Sequence, residues 1–246
     1  MKRRRILLLG WDAADWQVID KLLDAGQMPN LGRIVESGAI GDLATLHPPY
    51  SPILWTSIAT GKRPTKHGIT GFTEPTPDGR AVRPVSSLSR KGKALWNIAT
   101  QSGLRSVVVG WYPSHPVEPI NGVMVSDLFV KAGDGAEPVP LPPRSVHPPE
   151  WVERMDELRL SSQEISAAML RYFVPDFAKV DQSKDKRLHS LAHVIAENMN
   201  AHAAATEALE HAEWDLACLF YDGIDHISHG FSRLHPPKLP WVSTFQ

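Results

Sequence analysis

An α/β fold, a mostly parallel sheet with helices on both faces, is what this sequence predicts, on three observations. Short continuous apolar runs suit strands buried on both sides. Segments of helical periodicity separate these runs, and glycines fall where the helices should stop.

In chain order, the apolar run from Arg5 to Leu9 reads as the first strand, followed by a helix over Gln17 to Ala25 that ends at Gly26. A second helix spans Asn30 to Ser37 before Gly38, and Ala39 to Leu46 reads as another strand. The turn-forming His47-Pro48-Pro49-Tyr50 leads into a helix beginning near Pro52, since proline suits a first helical turn. Ala94 to Gln101 is helical and stops at Gly103, and Arg105 to Gly110 and Gly122 to Leu128 read as strands. Prolines and glycines accumulate between Gly133 and Pro149, so a loop is expected there, with short helices over Glu150 to Leu158 and Ser162 to Tyr172. The Gly- and Pro-free stretch from Lys186 to Ala212 reads as one long helix, and Trp214 to Tyr221 restores the buried-strand pattern. The expected organisation is one domain over 1–246, with an insertion at about 132–183 able to cover an active site.

Composition narrows the function. With 246 residues, 42% of them hydrophobic and 22% charged, the chain can bury a sizeable core. Its net charge of −1 carries no footprint for nucleic acid. The basic start precedes too short an apolar run for a secretion signal, and no segment approaches the roughly 20 apolar residues that span a bilayer. The single Cys218 has no partner for an internal disulfide, and a cytoplasmic protein is the expectation.

Three segments carry chemistry. Asp12, just past the first strand, stands where open α/β sheets bind ligands, or else caps the next helix; Asp15 is the better cap. Ser51 opens the helix in SPILWTSIATGKRPTKHGI, where a helix N-terminus favours an anion. It can be a nucleophile activated by a cation, or a plain N-cap. His67 in the same run can be structural or a substrate contact. After the last strand, Asp225 and His229 have the D-x-x-x-H spacing that can place oxygen and imidazole on one metal, or simply begin a solvated helix. Asp222 can cap or orient, and His226 fits the spacing less well. His189 and His193, one turn apart without an acidic neighbour of the H-E-x-x-H kind, read as a solvated face.

Together these segments resemble the alkaline phosphatase superfamily, specifically its type I phosphodiesterase and nucleotide pyrophosphatase branch. The resemblance runs from Lys2 to about Phe129 and from Trp214 to Phe231. It implies a metal-dependent hydrolase of small phosphoric esters using two divalent ions, zinc first with manganese or magnesium as alternatives. It carries Asp12 and Ser51 onto one metal, Ser51 as nucleophile in the S/T-P-x-x-W-T-S-x-x-T-G frame, and Asp225 and His229 onto the other. The family's further ligands, from an S-D-H-G string and a final histidine, are not found up to Gln246, so weak metal retention and impaired turnover are expected of this chain. Phe72 stands where nucleotide pyrophosphatases have a phosphate-binding asparagine, which favours the broader phosphodiesterase or phosphatase class. A sulfatase would need a C/S-x-P-x-R setting that Ser51 to Trp55 does not provide. A phosphonate hydrolase and an inactive binding module are the remaining alternatives.

Overall fold

The computed structural model describes residues 4–133 and 139–234. Strand β1 (Ile6–Trp11) precedes helices α1 (Trp16–Asp24), α2 (Pro29–Ser37), α3 (Ser51–Thr60) and α4 (Pro64–His67). A small hairpin of β2 (Thr73–Pro75) and β3 (Val82–Pro84) follows, then α5 (Leu95–Gln101), β4 (Ser106–Val109), β5 (Gly122–Val125) and β6 (Val146–His147). Helices α6 (Val152–Asp156), α7 (Ala167–Phe173) and α8 (Arg187–His211) lead to β7 (Leu216–Tyr221) and α9 (Gly223–Phe231).

The main sheet has the order β1-β7-β4-β5-β6. Its first four strands are parallel, and β6 joins the edge antiparallel to β5. Strand periodicity sorts the side chains onto two faces. Val107, Val109, Val123, Val125, Ala217 and Leu219 pack against the alanines of α8, Ala201, Ala204, Ala205 and Ala208. Their neighbours Val108, Met124, Cys218 and Phe220 face the other way, onto Ala59 of α3 and Trp96 of α5. Small residues let α8 approach the sheet closely, and each fully buried valine or leucine contributes about 1.5–3 kcal/mol. Helices therefore cover both faces of the sheet, in agreement with the α/β expectation. Burial also pushes the Cys218 thiol up to about 12, which leaves it an inert core residue.

The strand expected at Ala39 to Leu46 does not form; these residues pair with no strand, and Ile40 and Leu43 are 61% and 85% exposed. The local pattern was compatible with a strand, but a strand also requires a hydrogen-bonding neighbour, which local sequence does not supply. The helical readings at Glu150 to Leu158 and Ser162 to Tyr172 contract to α6 and α7, each preceded by a short 3-10 turn. Within 132–183, Met155 is fully buried in the apolar cluster that includes the valines of β4 and β5. Arg159 donates from its guanidinium to the carbonyls of Phe129 and Lys131, and Leu160 N–H donates to Asn200 Oδ1 of α8 at 2.7 Å.

One glycine is indispensable to the sheet. Gly122 has φ +134, and a Cβ there would lie 2.0 Å from the carbonyl oxygen of Ser106 on the paired strand. Gly122→Ala is expected to cost about 2–4 kcal/mol by combining a forbidden backbone with a clash. Urea unfolding measures it, and a midpoint like that of the parent would refute the assignment.

Candidate functional site

The parallel strands deliver the chemistry to their carboxyl ends. Asp12 N–H donates to Tyr221 O at 2.9 Å, one residue beyond the β1–β7 ladder, and Ala13 then adopts φ 60 to turn the chain away. Asp15 caps α1, its carboxylate accepting from Gln17 N–H at 2.8 Å, so Asp12 has no capping duty. Tyr50, not Ser51, is the N-cap of α3. Ser51 is the first helical residue, and its hydroxyl makes no hydrogen bond among the described residues. At the end of β7, Asp222 precedes α9, which carries Asp225, His226 and His229.

Asp12, Ser51, Asp225 and His229 all line one cavity of about 910 Å³. Its wall also includes Asp127, Lys131, Asp222 and His226. None of the described residues in 132–183 lines it; Val146 and Met155 join the cluster on one face of the sheet, and Ala132 and Ile165 pack with α8.

Charge is unbalanced here: four aspartates, Asp12, Asp127, Asp222 and Asp225, share the wall with one lysine. Burial, then the charge of Asp12, push the Asp225 carboxyl above its ordinary range, although His229 and His226 pull the other way. Burial also raises Asp127, even though its Oδ1 accepts from Ser114 N–H at 2.8 Å and His115 N–H at 2.7 Å. Burial alone would lower the Lys131 ammonium, but Glu197, Asp222 and Asp127 outweigh it and hold it above its usual value. Lys131 is accordingly a fixed cation, 3.0 Å from the buried Glu197 of α8. Such a wall would repel a phosphoric ester unless cations offset the carboxylates.

Several further charged residues line or flank the cavity. His226 Nδ1 lies 4.0 Å from Glu197 and its Nε2 3.8 Å from Asp222, with the side chain 37% exposed, whereas His229 is 80% exposed beside Asp225 at 3.5 Å. Asp222 and His226 have the same D-x-x-x-H spacing as Asp225 and His229, so the signal was in the sequence but its enclosure was not. Asp127, Lys131 and Glu197 carry no local motif. His193 lies 3.3 Å from Glu197, so the solvated face expected for His189 and His193 does not hold for His193.

His67 is structural. Wholly buried, it accepts from Ile69 N–H on Nδ1 at 3.2 Å and so donates from Nε2 to Ser57 Oγ at 3.0 Å, while Ser57 donates to Ile53 O. Burial, with Arg90 nearby, lowers its pKa and keeps the ring neutral. His67→Ala should therefore destabilise the protein by about 2–4 kcal/mol through a cavity and two lost hydrogen bonds. Because the folded pKa lies below the unfolded one, stability should also fall as pH drops below about 6.5, with a smaller fall in the variant. Equal acid sensitivity in the two proteins would count against this role.

Divalent cations take the oxygen and imidazole donors that this cavity supplies. Among the described residues, however, no three His, Cys, Asp or Glu side chains are gathered closely enough to hold a metal ion. The donors fit in kind but not in number around one point.

Comparison with solved structures places phosphonoacetate hydrolase from Sinorhizobium meliloti 1021 beside this chain, in complexes with phosphonoacetate and with phosphonoformate. Each superposes with a TM-score of 0.56 at 19% identity, covering 97% of this chain and 49% of the other. The chain thus spans about half the length of these solved relatives, and the likeness shows a shared fold. Comparison with curated proteins gives no match. No helix among the described residues is long and apolar enough to cross a membrane. One family model spans all three segments that bear the cavity's carboxylates: over residues 6–242 it matches type I phosphodiesterase / nucleotide pyrophosphatase, the family to which this chain belongs.

Proposed function

We propose that this chain forms the nucleophile-bearing part of a hydrolase for small phosphoric esters, with Ser51 as the attacking group. One observation carries the reading: a serine hydroxyl at the head of α3, without a hydrogen bond among the described residues, opens into the same cavity as four aspartates from three strand ends. Ser51 Oγ would attack phosphorus in line as the opposite P–O ester bond breaks, the alcohol leaving with the serine proton; water would then cleave the phosphoseryl bond, releasing the phosphoryl product and restoring the serine hydroxyl. The positive end of α3 and the Ser51 N–H, unpaired among the described residues, would favour the anionic phosphoryl oxygens. Lys131, held charged by Glu197 and Asp222, would oppose part of the wall's negative charge.

Two divalent ions, zinc first, would neutralise the remaining charge when bound. Asp12 and Ser51 would serve one, and Asp225 with His229 the other. Asp222 and His226 form a second candidate pair, supported by their 3.8 Å approach and by the buried Glu197 4.0 Å from the ring. Zinc titration of Asp222→Asn/His226→Ala against Asp225→Asn/His229→Ala separates the pairs by which loses stoichiometric binding.

The purified chain, supplied with zinc or manganese, should be assayed against chromogenic phosphomonoesters and phosphodiesters and against phosphonoacetate. Quenched reactions should carry a phosphoryl group on Ser51 by mass spectrometry. The shortage of metal donors favours a second reading, a binding module without turnover. Ligand binding with no hydrolysis of any of these compounds would establish that reading instead.

A further inference from the structure

We infer that the surface formed by the far end of α3, by α4 and by α5 is a docking face for an anionic lipid membrane, on which the chain rests without crossing it. The inference goes beyond the hydrolase reading and does not depend on it.

The charge pattern prepares this face. Residues 43–73 and 79–117 contain no aspartate or glutamate, although the whole chain has 27 acids against 26 lysines and arginines. Glu74 and Glu118, which follow the two stretches, are each taken by an arginine, Arg83 and Arg90. Folding then brings cations of the two stretches together. Lys91 N–H donates to His67 O at 2.7 Å. A Cβ on Gly68 would lie 2.9 Å from Lys91 Cδ, and one on Gly92 3.4 Å from Lys62 Nζ, so each lysine lies across the other segment. The Arg90 guanidinium donates to Gly92 O, Asn97 Oδ1 and Glu118, which fixes the turn into α5. Lys62, Arg63, Lys66, Lys91 and Lys93 are all exposed. None of them makes an ion pair among the described residues, and Lys93 donates only to the neutral Gln101, at 2.8 Å. Like charges gathered in this way repel one another until an anion lies among them.

An apolar stripe adjoins the cations. Leu95, Ile98 and Gln101 follow at helical spacing along α5, and Leu95 and Ile98 are 37% and 48% exposed. Lys93 reaches Gln101 on that stripe, so lysine and aliphatic side chains share one face. This composition selects the occupant. Protein interfaces are poor in lysine and rich in arginine and aromatic residues, and single-stranded nucleic acid is held on exposed rings. Here four of the five cations are lysines, and Trp96, the aromatic residue of α5, is wholly buried. Phosphate headgroups over a hydrocarbon layer match both components of the face. The lysines reach the headgroups while Leu95 and Ile98 enter the layer beneath. The cavity stays clear of this contact, because α3 is about 15 Å long, with Ser51 at one end and Lys62 just past the other, and none of the face's residues lines the cavity.

The test is co-sedimentation of the full chain with vesicles of phosphatidylcholine, with or without about 30% phosphatidylserine. The anionic vesicles should bind at least about tenfold more tightly than the neutral ones, and about 0.5 M salt should remove most of that preference. Lys62→Gln/Lys91→Gln should weaken anionic binding about tenfold or more, and Leu95→Ser/Ile98→Ser about fivefold. Lys179→Gln/Lys184→Gln, the same change of charge at exposed lysines elsewhere, should leave it in place. Circular dichroism confirms that the variants fold. Equal binding to the two kinds of vesicle, binding to neither, or equal loss in the two double-lysine variants would overturn the inference. Tighter binding to soluble poly-glutamate than to the anionic vesicles would overturn it too, and would assign the face to an acidic protein.

Discussion

Ser51→Ala should abolish ester hydrolysis, by at least about a thousandfold, while leaving the fold unchanged, because removing an attacking group loses the whole covalent route. The structural cost should be small. Tyr50 provides the cap of α3, and the Ser51 hydroxyl makes no hydrogen bond among the described residues that alanine would forfeit. A plain N-cap would instead cost about 0.5–2 kcal/mol of stability on substitution, with no specific loss of turnover. Measuring kcat beside the urea midpoint separates the two roles. An alanine variant that turns over at the parent rate and carries the phosphoryl group elsewhere would show that another residue attacks.

Asp225→Asn should stabilise the cation-free protein at neutral pH and weaken its response to divalent ions. Burial, the charge of Asp12 and, more weakly, that of Asp222 disfavour the ionised form of Asp225. Its folded pKa is raised above the unfolded value, so its favourable contribution is complete below the unfolded pKa of about 3.9 and is lost as pH rises through the folded value. At pH 7 the carboxylate is a net burden that a neutral amide of similar shape removes. The same repulsion is what a bound cation would relieve, so zinc should raise the melting temperature of the parent more than that of the variant. An affinity loss of about tenfold or more is expected by comparison with the effect of removing groups that merely support a metal ligand. A less stable cation-free variant, or an undiminished response to zinc, would contradict the electrostatic reading of this wall.

Much of this was legible locally. The apolar runs of β1, β4, β5 and β7 and the long Gly-free α8 reflect periodicities that act within a few residues, as do the terminating glycines. The turn from β1 into Asp12, the start of α3 at Ser51 and the placement of Asp222 to His229 after β7 are equally local. Order along a parallel sheet brings the strand ends to one edge, and so those residues to one cavity. Ala39 to Leu46 departed from its local pattern because strand pairing depends on a distant neighbour.

What only the tertiary structure decided is the environment of each group. By sequence His67 could be structural or a substrate contact; packing buries it between Ser57 and the Ile69 amide, where a neutral ring satisfies both. Asp222–His226 and Asp225–His229 share one spacing, and only the fold sets Glu197 of α8 4.0 Å from His226 while His229 stays 80% exposed. Lys131 and Asp127 have no motif at all and enter the cavity because β5 ends at its rim, as the β2–β3 hairpin does beside Phe72. Sequence by itself determined which chemical groups this protein owns and which strand ends bear them. Burial and partner charges were decided by folding, since desolvation and Coulomb interaction depend on distances between segments far apart in the chain.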